Sequence, residues 1–156
     1  MTAVYDTEIQ ARLRDVNLAG HVDNVEAIRI VNEARTELLR FAPLVEGSAR
    51  PGLLGVTPET VTDLVGGQRV DYHAEMRFAP FQPFLLRLWV SHVGRSSFTV
   101  AAQMRTQADH APALVGEATV VLWDTGASRP WALDATTRAT LGAYLGEPVA
   151  FRERRG

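Results

Sequence analysis

The sequence predicts an α+β protein in which one curved, antiparallel, five-stranded sheet wraps around a long central helix. Two features lead to this class. Apolar residues first alternate as in a strand, then repeat with helical spacing, and then alternate again through four further segments. Repeated βαβ units are absent, which argues against a doubly wound nucleotide-binding fold. With a single long helix, the sheet has to curve to bury the apolar face of that helix.

The first strand is predicted at residues 7–14, where one apolar face alternates with a polar one. The apolar residues are Ile9, Ala11 and Leu13. The long helix is predicted at residues 24–41 and ends before Pro43, because proline lacks the N–H that a helix needs. Its apolar face consists of Ala27, Ile28, Val31, Ala34, Leu38, Leu39 and Ala42.

Four more strands follow a loop that is rich in glycine and proline. They are predicted at residues 61–77, 84–93, 97–107 and 114–123. The pair Gly66-Gly67 indicates a bulge in the first of these strands, and Gly94-Arg95-Ser96 indicates a tight turn between the second and the third. A short C-terminal helix is predicted at residues 134–145, with Asp134 as its N-cap.

Composition excludes several classes of function. The chain has 156 residues, of which 46% are hydrophobic, so one domain over residues 1–156 is expected. The net charge is −2 and the arginines form no long run, so no nucleic-acid partner is expected. The absence of cysteine excludes disulfides and thiolate nucleophiles. Neither a signal peptide nor an apolar run of membrane-spanning length is found, so we expect a cytoplasmic protein without membrane contact.

The connection between the first strand and the long helix, residues 14–24, combines carboxylate, amide, imidazole and glycine. It leads into a helix N-terminus, where backbone N–H groups are unpaired and the helix dipole is positive. Such a terminus can bind an anion or stabilise a developing oxyanion. We therefore expect the functional site at this connection.

Two runs of residues are typical of a known family. They are Arg12-Leu13-Arg14-Asp15-Val16-Asn17-Leu18-Ala19-Gly20-His21-Val22-Asp23-Asn24 and Glu33-Ala34-Arg35. Together they resemble the R-x-x-D-x-D-x-x-G-H-V-N-N … E-x-A-R signature of hotdog-fold acyl-CoA thioesterases of the hydroxybenzoyl-CoA thioesterase type. Tyr72, Gly94-Arg95-Ser96-Ser97 and the strand at 116–124 resemble later landmarks of the family. The resemblance implies a hotdog fold and a homodimer or homotetramer with active sites at the subunit interface. The implied substrate is an acyl-CoA or acyl-carrier thioester, with coenzyme A as part of the substrate and no separate cofactor.

The resemblance also implies catalytic roles, with one departure. The family has its catalytic carboxylate where this chain has Asn17, and an amide cannot take a proton from water. Asn17 is expected to position water or substrate, or alternatively to brace the loop. His21 is the nearest group that titrates near neutrality and is the candidate base, unless it only bonds to backbone. The backbone N–H of Asn24 is the implied donor to the thioester carbonyl.

Four residues are predicted to contact substrate: Asp23, Tyr72, Arg95 and Ser96. Arg95 is the candidate ligand of the CoA phosphates, since a guanidinium suits phosphate geometry. Structural roles are expected for Asp15, for Glu33 as an ion-paired surface residue, and for Arg35, which should have a carboxylate or carbonyl partner. The remaining histidines lack metal-ligand spacing, so no metal site is expected.

The sequence thus predicts hydrolysis of an acyl thioester by water. A non-catalytic acyl-thioester binding protein is the alternative, because Asn17 replaces the carboxylate. A hotdog hydratase is disfavoured, because the spacing from Asp15 to His21 is one residue longer than in the hydratase motif.

Overall fold

The computed structural model describes residues 2–153, which form one curled antiparallel sheet packed against a long helix. The strands are β1 (Tyr5–Ile9), β2 (Val61–Tyr72), β3 (Phe84–Val93), β4 (Ser97–Arg105), β5 (Leu114–Asp124) and the short β6 (Arg129–Pro130). The helices are α1 (Asn24–Thr36) and α2 (Ala135–Gly142). The strand order is β1-β3-β4-β5-β2 with antiparallel neighbours, and β6 pairs with β5. The predicted α+β hotdog fold is confirmed.

The long helix buries one face against the sheet, as predicted. Its fully buried residues are Ala27, Ile30, Ala34, Leu38 and Leu39. Burying each large apolar side chain in this way contributes about 1.5–3 kcal/mol. A π-helical turn (Glu37–Phe41) continues α1, so helical backbone ends before Pro43, where the prediction placed it. Ile28 and Val31 are only half-buried, because Ile30 occupies the centre of the buried face.

The prediction of the first strand at residues 7–14 was wrong in its position. β1 pairs with β3 only from Tyr5 to Ile9, and Leu13–Asp15 form a 3-10 turn in which Leu13 is 74% exposed. The cause is Asp15, whose carboxylate accepts hydrogen bonds from the backbone and the side chain of Arg12 and closes the chain into a turn. The apolar alternation therefore continues beyond the last residue that pairs.

The other predicted elements are present with shifted ends. The bounds of β3 agree with the prediction, and a register shift between Val65 and Gly67 confirms the bulge. β2 ends at Tyr72 because the following residues turn toward the start of α1, where the Val22 N–H donates to the carbonyl of Met76 at 2.7 Å. β4 ends two residues early, at Arg105, and β6 was not predicted.

The C-terminal helix packs against the 3-10 turn Leu53–Val56 and buries Leu141 in the core that α1 shares, whereas the segment after it covers the opposite face of the sheet. Asp134 caps α2 by accepting a hydrogen bond from the Thr137 N–H at 2.8 Å, as predicted. The chain then crosses the sheet along one row of paired residues: Trp89, Ala101, Glu117 and Arg69. Within residues 2–153, no helix is long and apolar enough to cross a membrane.

Candidate functional site

The loop between β1 and α1 is a tight turn anchored on both sides. The Asn17 N–H donates to the carbonyl of His21 at 2.8 Å, and the Gly20 N–H donates to the carbonyl of Asn17 at 3.0 Å. Gly20 has a φ of +81°, which a side chain would disfavour. An isolated bridge between His21 and Arg77 attaches the loop to the chain that follows β2. The loop is therefore a fixed platform at the N-terminus of α1.

The Asn17 side chain braces this turn. Its Oδ1 accepts hydrogen bonds from the N–H groups of Ala19 at 3.0 Å and His21 at 3.2 Å. Two backbone donors identify that atom as the oxygen, since a nitrogen could not accept them. Of the two predicted roles, the structure shows the bracing one. The Nδ2 group has no protein partner within residues 2–153, so a contact with water or substrate stays a prediction for that atom.

Asp15 holds the base of the loop from inside. Its side chain is fully buried, and its two oxygens accept hydrogen bonds from Arg12 and Arg29 at 2.8 to 3.3 Å. Burial raises the pKa of the Asp15 carboxyl, but the bonds and charges of both arginines outweigh burial and hold the pKa below its ordinary value. The Asp15 carbonyl accepts from the Asp23 N–H at 2.8 Å. Asp15 therefore has the expected structural role, and it connects the loop to the helix cap.

His21 lies between two charged side chains that the sequence analysis missed. Its Nε2 is 2.8 Å from Nη2 of Arg77 and 3.2 Å from Oε2 of Glu75. An unprotonated Nε2 accepts from Arg77, whereas a protonated Nε2 donates to Glu75, so either form of the ring has a partner at this atom. No local pattern indicates these neighbours, because they reach the loop through the long-range pairing of residues after β2.

The N-terminus of α1 brings together three of the predicted residues. Oδ1 of Asp23 accepts from the Val25 N–H at 2.9 Å, which caps the helix, and the Tyr72 hydroxyl donates to the carbonyl of Asn24 at 2.8 Å. Burial raises the pKa of Tyr72, and the charge of Asp23 raises it further, so the hydroxyl stays protonated. Within residues 2–153, the Asn24 N–H has no acceptor. This N–H is available to a ligand.

Arg95 and Ser96 lie elsewhere in the same chain. Their turn joins β3 to β4, whereas Tyr72 pairs through Leu114 with the other end of β4. Seven residues of strand separate the two ends, which is roughly 25 Å. The Arg95 side chain is exposed, and Arg138 donates to the carbonyl of Gly94 in the same turn at 3.1 Å. One copy of the chain does not place this turn beside the loop.

The two residues of the second signature run differ in their surroundings. Glu33 is half-exposed and pairs with Arg29 at 2.9 Å, as expected of a surface ion pair. Arg35 is 8% exposed, and its Nη1 has no hydrogen-bond partner within the described part of the chain, so the predicted carbonyl or carboxylate partner of that atom is not found there. Burial lowers the pKa of Arg35, and the charge of Asp63 opposes this shift.

An open hollow of about 710 Å³ lies between β1, β3 and residues 108–111. Its polar lining includes Asp6, Arg87, Arg105 and His110, and none of the predicted site residues lines it. The volume of this hollow therefore does not make it the candidate site. The predicted residues with suitable chemistry lie at the start of α1.

Comparisons with known proteins agree with the fold. A family model described as the thioesterase-like superfamily matches residues 11–141, whereas a search of curated proteins finds no match. A predicted thioesterase from Bacillus stearothermophilus is similar in structure, with a TM-score of 0.73 and 18% identity over 94% of this chain and 100% of the other.

Two further structures are similar. A thioesterase from Thermus thermophilus, complexed with coenzyme A and Zn, has a TM-score of 0.67 and 20% identity over 92% of this chain and 96% of the other. Slr0204, a 1,4-dihydroxy-2-naphthoyl-CoA thioesterase from Synechocystis, has a TM-score of 0.70 and 12% identity over 90% of this chain and 96% of the other. At these identities the likeness concerns the fold.

Proposed function

Because this chain belongs to the thioesterase-like superfamily, we propose that it hydrolyses the thioester of an acyl-CoA or an acyl-carrier protein. The proposal rests on one observation: the backbone N–H of Asn24 has no acceptor within residues 2–153. It lies at the positive end of α1, and its own helix supplies no acceptor for it. Tyr72 and the cap at Asp23 hold this end of the helix in place.

In the proposed reaction, the thioester carbonyl oxygen accepts a hydrogen bond from the Asn24 N–H. Water attacks the carbonyl carbon, and the negative charge that develops on the oxygen is stabilised by the N–H and the helix dipole. The C–S bond then breaks and releases a thiol and a carboxylic acid. Nδ2 of Asn17, which has no partner among residues 2–153, orients the water. His21, predicted as the base, could accept a proton at Nε2 only after losing the contact with Arg77.

Binding of the CoA part is proposed for the turn between β3 and β4. The names of the Thermus thermophilus and Synechocystis proteins associate this fold with CoA and a CoA thioester. Arg95 and Arg138 place two guanidinium groups near one turn, and such groups suit phosphate. Because this turn lies at the far end of the sheet from Asn24, we propose that it acts on the site of a second copy.

A homodimer or homotetramer is consistent with the edge of the sheet. β2 is an edge strand, and Leu64 and Val65 on it are 49% and 48% exposed. An edge with apolar side chains and unpaired backbone groups favours pairing with another strand. We propose that copies of this chain associate, and sedimentation at micromolar concentration tests this: a monomer would contradict it.

A non-catalytic binding protein is the second candidate. It is favoured by Asn17, since the amide is engaged in bracing the turn and cannot activate water. Thiol release from a panel of acyl-CoA thioesters separates the two, with equilibrium binding of the same compounds measured in parallel. Turnover supports hydrolysis, whereas binding without thiol release supports the second candidate.

A further inference from the structure

The carboxylates around the start of α1 differ in how many hydrogen bonds and ion pairs their oxygens already form. Asp15 is buried, and both of its oxygens are bonded to arginines. Glu26 accepts from Arg29 at 2.6 Å. Glu75 lies against His21 and Arg77, at 3.2 and 3.3 Å. These three groups are ion-paired where they stand, so none of them is a free base.

Asp23 is the exception. Its Oδ1 accepts from the Val25 N–H, and within residues 2–153 its other oxygen, Oδ2, has neither a hydrogen-bond donor nor a salt-bridge partner. The residue is half-buried and directly precedes Asn24. The Tyr72 hydroxyl donates to the Asn24 carbonyl at 2.8 Å, and the charge of Asp23 raises the pKa of Tyr72, so the three residues lie close together. The residue next to the N–H proposed to bind the thioester oxygen therefore carries a carboxylate oxygen that has no donor among residues 2–153.

The sequence shows a matching exchange. The signature that this chain resembles has a carboxylate at the position of Asn17 and an amide at the position of Asp23, and this chain has the reverse. Relative to the signature, this chain therefore lacks a carboxylate at position 17 and has an additional one at position 23.

We propose that Asp23 is the general base of the hydrolysis, an inference that rests on the proposed function. Oδ2 of Asp23 takes a proton from water while the water oxygen bonds to the thioester carbon. The carbonyl electron pair moves to its oxygen, which the Asn24 N–H holds. The pair on that oxygen then re-forms the carbonyl and the C–S bond breaks; sulfur keeps the bonding pair and takes the proton from Asp23. Water is the only co-reactant, and acid and thiol are the products.

The competing explanation of Asp23 is that it only caps α1. Asparagine caps a helix as well as aspartate does but cannot accept the proton, so Asp23→Asn separates the two roles. We expect kcat to fall about 10²- to 10⁴-fold, with KM and the unfolding midpoint close to wild type. Asp134→Asn is the matched control, since Asp134 caps α2 through the same kind of bond, and it should retain wild-type kcat.

A second variant tests whether the carboxylate itself matters. Adding Asn17→Asp to Asp23→Asn returns a carboxylate to the loop, and we expect at least about tenfold recovery of kcat. A kcat for Asp23→Asn within about threefold of wild type would overturn the role of Asp23 while leaving hydrolysis intact. If the wild-type protein releases no thiol from any thioester that it binds, the proposed function fails, and the role of Asp23 fails with it.

Discussion

Replacing Asp15 by asparagine should destabilise the protein much more than the same change at a surface ion pair. The side chain of Asp15 is 0% exposed, and it is held by Arg12 and Arg29. Removing one partner of a buried ion pair typically costs about 3–5 kcal/mol. The two arginine side chains are 45% and 35% exposed, so solvent screens part of the interaction, and we expect a loss of about 2–3 kcal/mol.

The loss should depend on pH with a definite sign. The pKa of Asp15 in the folded protein lies below its ordinary value of 3.8. The carboxylate therefore stabilises the fold fully at any pH above the pKa that Asp15 has in the unfolded chain. This contribution disappears as the pH falls through the lowered pKa. The difference in free energy of unfolding between wild type and Asp15→Asn should therefore be complete at neutral pH and shrink in acid.

Urea-induced unfolding at equal protein concentration measures this difference. Asp6→Asn is the control, because Asp6 also accepts two hydrogen bonds from one arginine, Arg87, but the pair is about half-exposed. That substitution should cost about 0–1 kcal/mol. If Asp15→Asn costs no more than Asp6→Asn, burial does not strengthen the pair, and Asp15 is not what holds the loop.

Three further substitutions test the site and the C-terminal segment. Arg95→Ala should weaken acyl-CoA binding by about 1.5–3 kcal/mol but leave a pantetheine thioester unaffected, as measured by calorimetry; equal effects on both ligands would contradict a phosphate contact. His21→Ala should lower kcat less than about tenfold, since its Nε2 is engaged by neighbours; a loss comparable to that of Asp23→Asn would assign the base to His21. Gly146→Ala should cost about 1–3 kcal/mol in unfolding, because its Cβ would lie 2.9 Å from Trp89, whereas Gly142→Ala has open space and should cost nothing.

Local patterns predicted most of the secondary structure because local chemistry determines it. Alternation located β3, two adjacent glycines located the bulge in β2, and a capping aspartate located the start of α2. The extent of β1 could not be predicted in this way, because pairing with β3 ends before the alternation ends. β6 has only two residues and is held by backbone pairing with β5, whereas the segment after α2 carries no periodicity and is positioned by side chains of distant strands.

The candidate site was predictable only in its central part. The motif located Asp23 and Asn24 at a helix N-terminus, and the structure places Tyr72 against them. Glu75 and Arg77 were missed because they reach His21 through contacts more than 50 residues apart in sequence. Arg95 was predicted from its turn, but a turn in the sequence carries no information about its distance from the loop.

The proposed hydrolysis requires the thioester carbonyl to bind at the Asn24 N–H. Titration of ¹⁵N-labelled protein with an acyl-CoA analogue in which a non-hydrolysable ketone replaces the thioester tests this most directly, by following the backbone amide resonances. We expect a downfield proton shift of the Asn24 amide that saturates with binding, because a hydrogen bond to the carbonyl forms there. Saturable binding that leaves Asn24 unshifted while the amides around the hollow at Asp6 and His110 move would contradict the account.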